Sequence, residues 1–580
     1  MSTRLPSLRA DLALLHAPAF FEFRGRRDLY FPFLGTSGDV PITPLYEYFP
    51  VGFKTLQRHL GAEGRDVRIV NLASLFVRYP HLDADAVLSA IDAPVVGLDL
   101  HWMIHVQGTL AIAERLKKLR PDVKVLLGGI SATYYADELV RYPFIDWVMT
   151  GYDTHAPMSE LMRRVADGRS VAGVPNLVHK EDGGRDKKSA LTYLPDTYAC
   201  GIDWSTQPRA PKTKGLPIRE ILSTQNAGCA YNCPWCGGSR DAFRRVFGKK
   251  RAMARKPEDE IRFEVESMKR LAGVEGYHFY SVGSYNESKE GLLRFVEQLG
   301  ETPLKSISFE QFHLTPDDVL RAMVKANDRV SITLSPESHD PHIAKLSGRG
   351  VYTNEEMEAW LERALDLGIH AVDVWYFVGM PEQTRDNALE SVDYCEKLLH
   401  RFRGKNVNPM VCPMVPFLDP ASNIFEDPER YGYRVFFRTA EEHRRGMENA
   451  SIINRMNYET RWLPRAELVE TGYVAIRRLM EAKAAVGMLP GSAVRRYNDN
   501  IDDALSFVRT VHAADSLPDA GDRARALEEL GDEILRRNNQ VLFAGVANQA
   551  LPINRQVGGR WFDELGWSPA ELDAAVTPAS

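Results

Sequence analysis

The segment Ser223-Thr-Gln-Asn-Ala-Gly-Cys-Ala-Tyr-Asn-Cys-Pro-Trp-Cys236 sets Cys229, Cys233 and Cys236 in the spacing CxxxCxxC. Three of the six cysteines in the chain therefore fall within eight residues. That clustering suits a metal better than disulfides. A four-iron cubane held by three thiolates keeps one iron open for a substrate group. A zinc site is the other reading, and it ordinarily takes four ligands in paired Cys or Cys and His spacings. No second pair is visible, because Cys200, Cys395 and Cys412 stand alone.

The elements that must present this loop follow from the apolar pattern. From Asp11 to Val165 short apolar runs alternate with amphipathic stretches, with strands expected at Leu12–Leu15, Val67–Asn71, Val95–Asp99, Val123–Leu127 and Trp147–Met149. Between the third and fourth, Leu110, Ile112, Ala113, Leu116 and Leu119 recur at helical spacing and would bury one face. Residues 1–180 thus read as a doubly wound, Rossmann-like α/β domain whose ligand lies beyond the carboxyl ends of its strands. Residues 181–216, with polar Glu181–Lys188 and the proline- and lysine-rich Pro208–Lys214, read as a linker.

Residues 217–415 carry six further strands, at Ile218–Thr224, Tyr277–Val282, Ser306–Gln311, Val330–Ser335, Ala371–Val378 and Val407–Met414. A closed eight-unit barrel needs about 250 residues and this stretch has about 200, so an open (β/α)6 partial barrel is expected. The cysteine loop directly follows its first strand. Helical patterning then dominates, as in Leu468–Val486 and Ala524–Arg537, and assigns 416–580 to a mainly helical C-terminal domain. The small-residue tail after Leu572 is expected to fray.

Composition narrows the class. A chain of 580 residues, 44% hydrophobic and 26% charged, is an ordinary multidomain globular protein. A net charge of -6, with both signs interspersed, gives no basic stripe for nucleic acid. No run of about 18 apolar residues occurs, and Met1–Ala10 has no apolar core before a small-residue cleavage site. A cytoplasmic protein that uses neither membrane nor nucleic acid is expected.

The cysteine spacing, Trp235 before the last cysteine, Gly228 before the first, and the position after the first barrel strand together resemble the radical SAM superfamily. The resemblance runs through about Phe402. It implies a 4Fe-4S cluster on Cys229, Cys233 and Cys236, with the open iron holding the amino and carboxylate end of S-adenosylmethionine (SAM). Tyr280-Ser-Val-Gly-Ser284 ends the second strand, where members carry a glycine-rich element for the SAM amino group. Gly283 and Ser284 are the residues implied, although the common Gly-Gly-Glu form is absent. Ser335 and Glu337 end the fourth strand, at the position that contacts the ribose, and Gly379 ends the fifth, near the adenine.

Asp11 to Lys180 is similar to the cobalamin-binding domain that precedes the barrel in one large radical SAM class. Val51-Gly-Phe53, Leu126-Leu-Gly-Gly-Ile-Ser-Ala-Thr133 and Ile145-Asp-Trp-Val-Met-Thr-Gly151 carry the likeness. Gly128, Gly129, Ser131, Thr133 and Gly151 are then expected around the nucleotide tail of cobalamin, the glycines by allowing close approach and the hydroxyls by holding polar groups. A side chain at Gly129 would take the tail's volume. The DxHxxG pattern of a histidine-ligated cobalt is missing, and His101 and His105 read as structural or pocket-lining residues. The Gly-Glu usual at the end of the last strand is Gly151-Tyr152 here.

Together these resemblances imply a cobalamin-dependent radical SAM methyltransferase acting on a carbon of a small molecule or peptide, with a flavodoxin or ferredoxin type electron donor. The same cofactors could instead serve rearrangement, ring closure or polar methylation. A non-enzymatic zinc-binding protein is the reading from another class. No residue is assigned as general acid or base. Arg444, Arg445, Arg455, Arg461 and Trp462 read as an amphipathic surface rather than a substrate lid.

Overall fold

Two mainly parallel sheets build the α/β part of this chain, the first from short apolar runs and the second from strands with one apolar and one polar face. The computed structural model describes residues 5–32, 51–180, 186–188, 191–199, 201–206, 220–248, 252–282, 288–413, 418–545 and 564–576. The first sheet comprises β1 (Leu12–His16), β2 (Val67–Asn71), β3 (Val95–Asp99), β4 (Lys124–Gly128), β5 (Trp147–Met149), β6 (Leu177–Lys180) and β7 (Asp186–Lys188). Its spatial order is β2-β1-β3-β4-β5-β6-β7, parallel through β5 and antiparallel for the last two. The order reverses between β1 and β3, and at such a switch point an open α/β sheet takes its ligand. β7 falls in the stretch read as linker, so the sheet runs past residue 180.

The second sheet holds β8 (Glu220–Thr224), β9 (His278–Val282), β10 (Ser306–Gln311), β11 (Val330–Glu337), β12 (Ala371–Val378) and β13 (Val407–Pro413), all parallel and each beside the next. This is the open six-stranded partial barrel. Alternation divides its two faces. Ile221, Phe279, Ile307, Ile332, Leu334, Val372 and Val374 face the helices and join one core. The opposite face carries Ser308, Ser331, Thr333, Asp373 and Asn408, all buried. There Asn408 Nδ2 donates to Asp373 Oδ1 at 2.9 Å, and the hydroxyls of Ser308 and Ser331 are bonded to each other.

The C-terminal region is mainly helical, with helices Arg465–Ala485, Gly491–Asp515 and Ala520–Asn539 and a hairpin of β14 (Tyr433–Val435) and β15 (Tyr458–Thr460). Among the described residues it has no core of its own. Leu468, Ile476 and Leu479 pack into the barrel core, whereas Ala440, Met447, Leu565, Trp567 and Leu572 pack into the core of the first sheet. The helix Pro569–Val576, with Leu572 fully buried, stands where a frayed tail was expected. Arg444 and Arg445 pair with Glu441, and Arg455 is buried against Phe20 and Phe31. These side chains serve the fold. Among the described residues no helix is long and apolar enough to cross a membrane.

Trp567 donates its indole N–H to the Pro6 carbonyl at 2.9 Å, and the Asn71 amide donates to the Glu564 carbonyl at 2.6 Å. The chain's end therefore seals its beginning. A Trp567→Ala substitution should cost about 3 kcal/mol, measured as a lowered denaturant midpoint of the N-terminal unit.

Candidate functional site

Past β8 the chain makes a short antiparallel pair, Asn226–Gly228 with Met253–Arg255, and then enters the cysteine loop. Gly228 has φ +84°, and a Cβ there would lie 2.5 Å from the Ala252 carbonyl oxygen and 2.8 Å from the Phe243 ring. Only glycine lets the backbone through. Tight turns then wind the loop, with the Tyr231 amide 3.4 Å from Cys229 Sγ and the Cys236 amide 3.2 Å from the Cys233 carbonyl. Asn232 and Asp241 bond reciprocally, at 2.7 and 3.0 Å, and tie the loop to the helix Arg240–Phe247.

Burial pushes all three thiols up, that of Cys233 to about 12, and nearby negative charge adds to the effect, from Glu310 at Cys229, Glu337 at Cys233 and Asp419 at Cys236. Thiols so placed make poor free nucleophiles, and a metal must displace their protons. The Arg349 guanidinium answers part of this charge. It is buried, its Nη1 donates to Cys233 Sγ at 2.9 Å, its Nε donates to the Ser335 carbonyl at 3.2 Å, and it lies 4.0 Å over the Phe312 ring. Gly348, at φ +83°, lets this turn press on the loop, since a Cβ there would lie 2.8 Å from Cys233 Cα.

Glu337 pairs with Arg349 Nε at 3.1 Å. Burial lifts its carboxyl to about 7, against the pull of Arg349 and with the push of Glu310. Its φ of +69° is unusual for a residue with a side chain. Ser335 and Glu337 stand at the end of β11 and are joined to the cysteine loop through Arg349. Gly379 differs. Its amide donates to Gln383 Oε1 at 2.8 Å and its carbonyl accepts from the Tyr433 hydroxyl at 2.5 Å, so both of its backbone groups are engaged within the chain. A Cβ on it would meet Leu468 at 3.0 Å, which makes it a packing point for the C-terminal region. Gly283 and Ser284 lie outside the described residues, as does Cys200. Cys395 is buried among the helices, and Cys412 lies on β13.

A cleft of about 300 Å³ opens at the carboxyl ends of β1, β3, β4 and β5, walled by Leu14, Gly128, Gly151, His155 and Met158 among others. The two adjacent glycines differ in role. A Cβ on Gly128 would meet nothing within 4 Å, whereas one on Gly129, at φ +114°, would strike the Leu100 carbonyl and the His101 amide at 2.7 Å. Gly129 therefore serves the backbone crossing, and Gly128 alone leaves volume open for a ligand. The hydroxyls of Ser131 and Thr133 turn to the neighbouring backbone. Ser131 Oγ donates to the His101 carbonyl at 3.2 Å, and Thr133 Oγ1 donates to the Gly129 carbonyl at 2.9 Å while accepting from the Gly151 amide at 3.2 Å. They fasten the loops around the cleft.

At the switch point Asp99 holds two histidines, His16 Nδ1 at 2.9 Å and His101 Nδ1 at 2.7 Å. Burial alone would raise this carboxyl, but the two imidazoles overcome it and keep Asp99 well below the usual range. His101 lines the cleft, and the fully buried His105 ring packs between the other two. The sequence reading found His101 and His105 and missed His16, which ends β1. Tyr152, in place of the usual acid, packs tilted against Phe243 and edge-on against Phe247, at 5.2 and 5.1 Å between ring centres. The cleft rim thus leans on the helix that leaves the cysteine loop. Sequence reading also missed Arg349, although the flanking Gly348 and Gly350 mark a tight turn.

The residues fit the implied groups. Three neighbouring thiols, that of Cys233 buried and those of Cys229 and Cys236 partly so, beside a buried cation suit an iron-sulfur cluster, and an apolar cleft with an open glycine wall suits the tail of cobalamin. The family model of the B12 binding domain matches residues 39–159, and that of the radical SAM superfamily matches residues 226–395. No curated protein matches in sequence. The fold is similar to that of the radical SAM methyltransferase TsrM from Kitasatospora setae, solved with cobalamin and a 4Fe-4S cluster bound. The TM-score is 0.55 at 15% identity, over 86% of this chain and 100% of that one. It is also similar to the cobalamin-dependent SAM radical enzyme OxsB with aqua-cobalamin bound, at TM-score 0.52 and 13% identity, over 93% of this chain and 80% of that one. At these identities the likeness is one of fold.

Replacing Cys229, Cys233 or Cys236 by alanine should abolish cluster absorbance and SAM cleavage, while Cys395→Ala and Cys412→Ala keep bound iron at the parent level. Iron and sulfide analysis after anaerobic reconstitution reads both. The glycines separate in the same way. Gly128→Val should empty the cleft of cobalamin and leave the cluster intact, since its side chain would enter only the open space of the cleft. Gly129→Val should instead lower the melting temperature, because its side chain meets backbone.

Proposed function

We propose that this chain, a cobalamin-dependent radical SAM enzyme by its two domains in order, transfers a methyl group from SAM to a carbon of a small-molecule or peptide substrate. One observation supports it above the rest. The cleft and the cysteine loop share a wall, because Phe243 packs on Tyr152 at the cleft rim and closes on Gly228 before the first cysteine. Groups held in the two sites would work on one substrate between them.

When bound, the cluster supplies the electron that cleaves SAM, and cobalamin carries the methyl group. The chain's own residues bind, orient and exclude water. Cys229, Cys233 and Cys236 would hold three irons. Arg349 sets a positive charge on one of those sulfurs, a lever on cluster potential within a range of about -700 to +450 mV. Glu337 anchors Arg349 in place. Trp235, Phe377 and Trp375 form an aromatic run, with ring centres 6.1 and 6.4 Å apart, from the cysteine loop along β12. That wall keeps water from a reactive substrate. A flavodoxin or ferredoxin type donor would supply the electron.

The test is anaerobic turnover with methyl-labelled SAM, cobalamin and candidate small molecules and peptides. A product heavier by one labelled methyl group is expected, and its yield should depend on added cobalamin. A product of unchanged mass, or one lacking two hydrogens, would replace methyl transfer by rearrangement or ring closure with the same cofactors.

A further inference from the structure

Both oxygens of one carboxylate, Asp419, are spent on joining the two halves of the molecule. Asp419 Oδ1 accepts from the Trp102 indole at 3.0 Å, and Oδ2 accepts from the Gly237 amide at 3.0 Å. Trp102 follows His101, whose ring Asp99 holds at the cleft. Gly237 follows Cys236. A single side chain therefore spans from one residue past the cleft to one residue past the third cysteine.

The surrounding segment repeats the pattern. Toward the cysteine loop, the Ile424 amide donates to the Pro234 carbonyl at 2.8 Å, between Cys233 and Cys236, and Arg245 Nη2 donates to Asn423 Oδ1 at 3.0 Å. Toward the first domain, the Tyr134 hydroxyl donates to Glu426 Oε1 at 2.8 Å. A Cβ on Gly237 would lie 2.9 Å from Asp419 Cβ and 3.1 Å from the Pro420 carbonyl, so the strap rests directly on the loop. Asn457 bonds both backbone groups of Leu418, at 2.8 Å each, and fixes the strap's start.

We propose that Asp419 is a positioning residue that sets the separation and orientation of the cobalamin cleft relative to the cluster loop. The proposal rests on the two-cofactor reading above. Apolar packing would tolerate sliding of one domain on the other, whereas two directional bonds to one carboxylate do not. The reason to hold the geometry is chemical, since a misplacement of about 1 Å can cost roughly 100-fold in rate. Asp419 is a ligand of neither cofactor and acts through Trp102 and Gly237, while its charge also helps push the Cys236 thiol up.

The experiment is electron paramagnetic resonance of the reconstituted holoenzyme, with cobalamin as cob(II)alamin and the cluster reduced, so that the two spins report their mutual distance and angle. Asp419→Asn keeps size but turns an NH2 toward one of two N–H donors. Trp102→Phe removes one bond from the other side without altering the cysteine loop. Both variants should keep parent contents of iron and cobalamin, and both should lose the parent's single spin coupling in favour of a broadened distribution. An unmoved coupling in both single variants, with both cofactors present, would overturn the proposal and leave the function reading standing. Loss of iron from Asp419→Asn with a parent-like Trp102→Phe would overturn it too, making Asp419 part of the cluster loop alone. A parent that takes up no cobalamin would remove the two-cofactor reading and the proposal with it.

Discussion

Three sulfurs confined to one short loop away from water can carry charge only against positive charge, and most of the barrel's upper end is arranged around that constraint. The loop must be wrapped closely, so Gly228 and Gly348 stand where any Cβ would meet backbone. Part of the charge is met by Arg349, which is itself buried and needs a partner of its own. Glu337 is that partner, held at a backbone angle that side chains seldom adopt and ionising only with difficulty. The arrangement is a chain of dependencies, each burial requiring the next.

Much of the scaffold was legible because the strands of the first sheet read as short apolar runs and those of the second as runs with one apolar face. Val67–Asn71, Val95–Asp99, Trp147–Met149, Ser306–Gln311 and Ala371–Val378 stand with the limits expected of them. The cysteine loop was legible because its three ligands are neighbours in sequence. Arg349 was not, since it reaches Cys233 across 116 residues and no local period links them. His16 hid at the end of an apolar strand for the same reason. Gly129 was found, but its backbone task was not, because sequence shows that a glycine is needed and not which neighbour forbids the side chain. Ser131 and Thr133 likewise turn their hydroxyls to the loops rather than to the cleft.

The C-terminal region shows where helical periodicity stops being informative. A helix pattern gives the apolar face but not the core it joins. Here Leu468 and Ile476 belong with the barrel, while Leu565, Trp567 and Leu572 belong with the first sheet. A reading by composition assigns one domain to what is an outer layer shared by two cores. The extension of the first sheet by β7 is a similar case, because a short polar strand added at an edge carries little apolar signal.

The seal made by Trp567 has a consequence in time. Residues of the first sheet leave the ribosome hundreds of residues before the segment that covers them. At synthesis rates of about 5–20 residues per second the gap is on the order of half a minute or more. For that interval Leu8 and its neighbours present to the cell an apolar surface that the finished molecule conceals. The nascent chain must therefore pass through a stage in which its first domain is formed but unsealed. A holding chaperone would find its target there, and a ribosome stalled before Trp567 would release a protein whose defect lies at the opposite end from the missing residues.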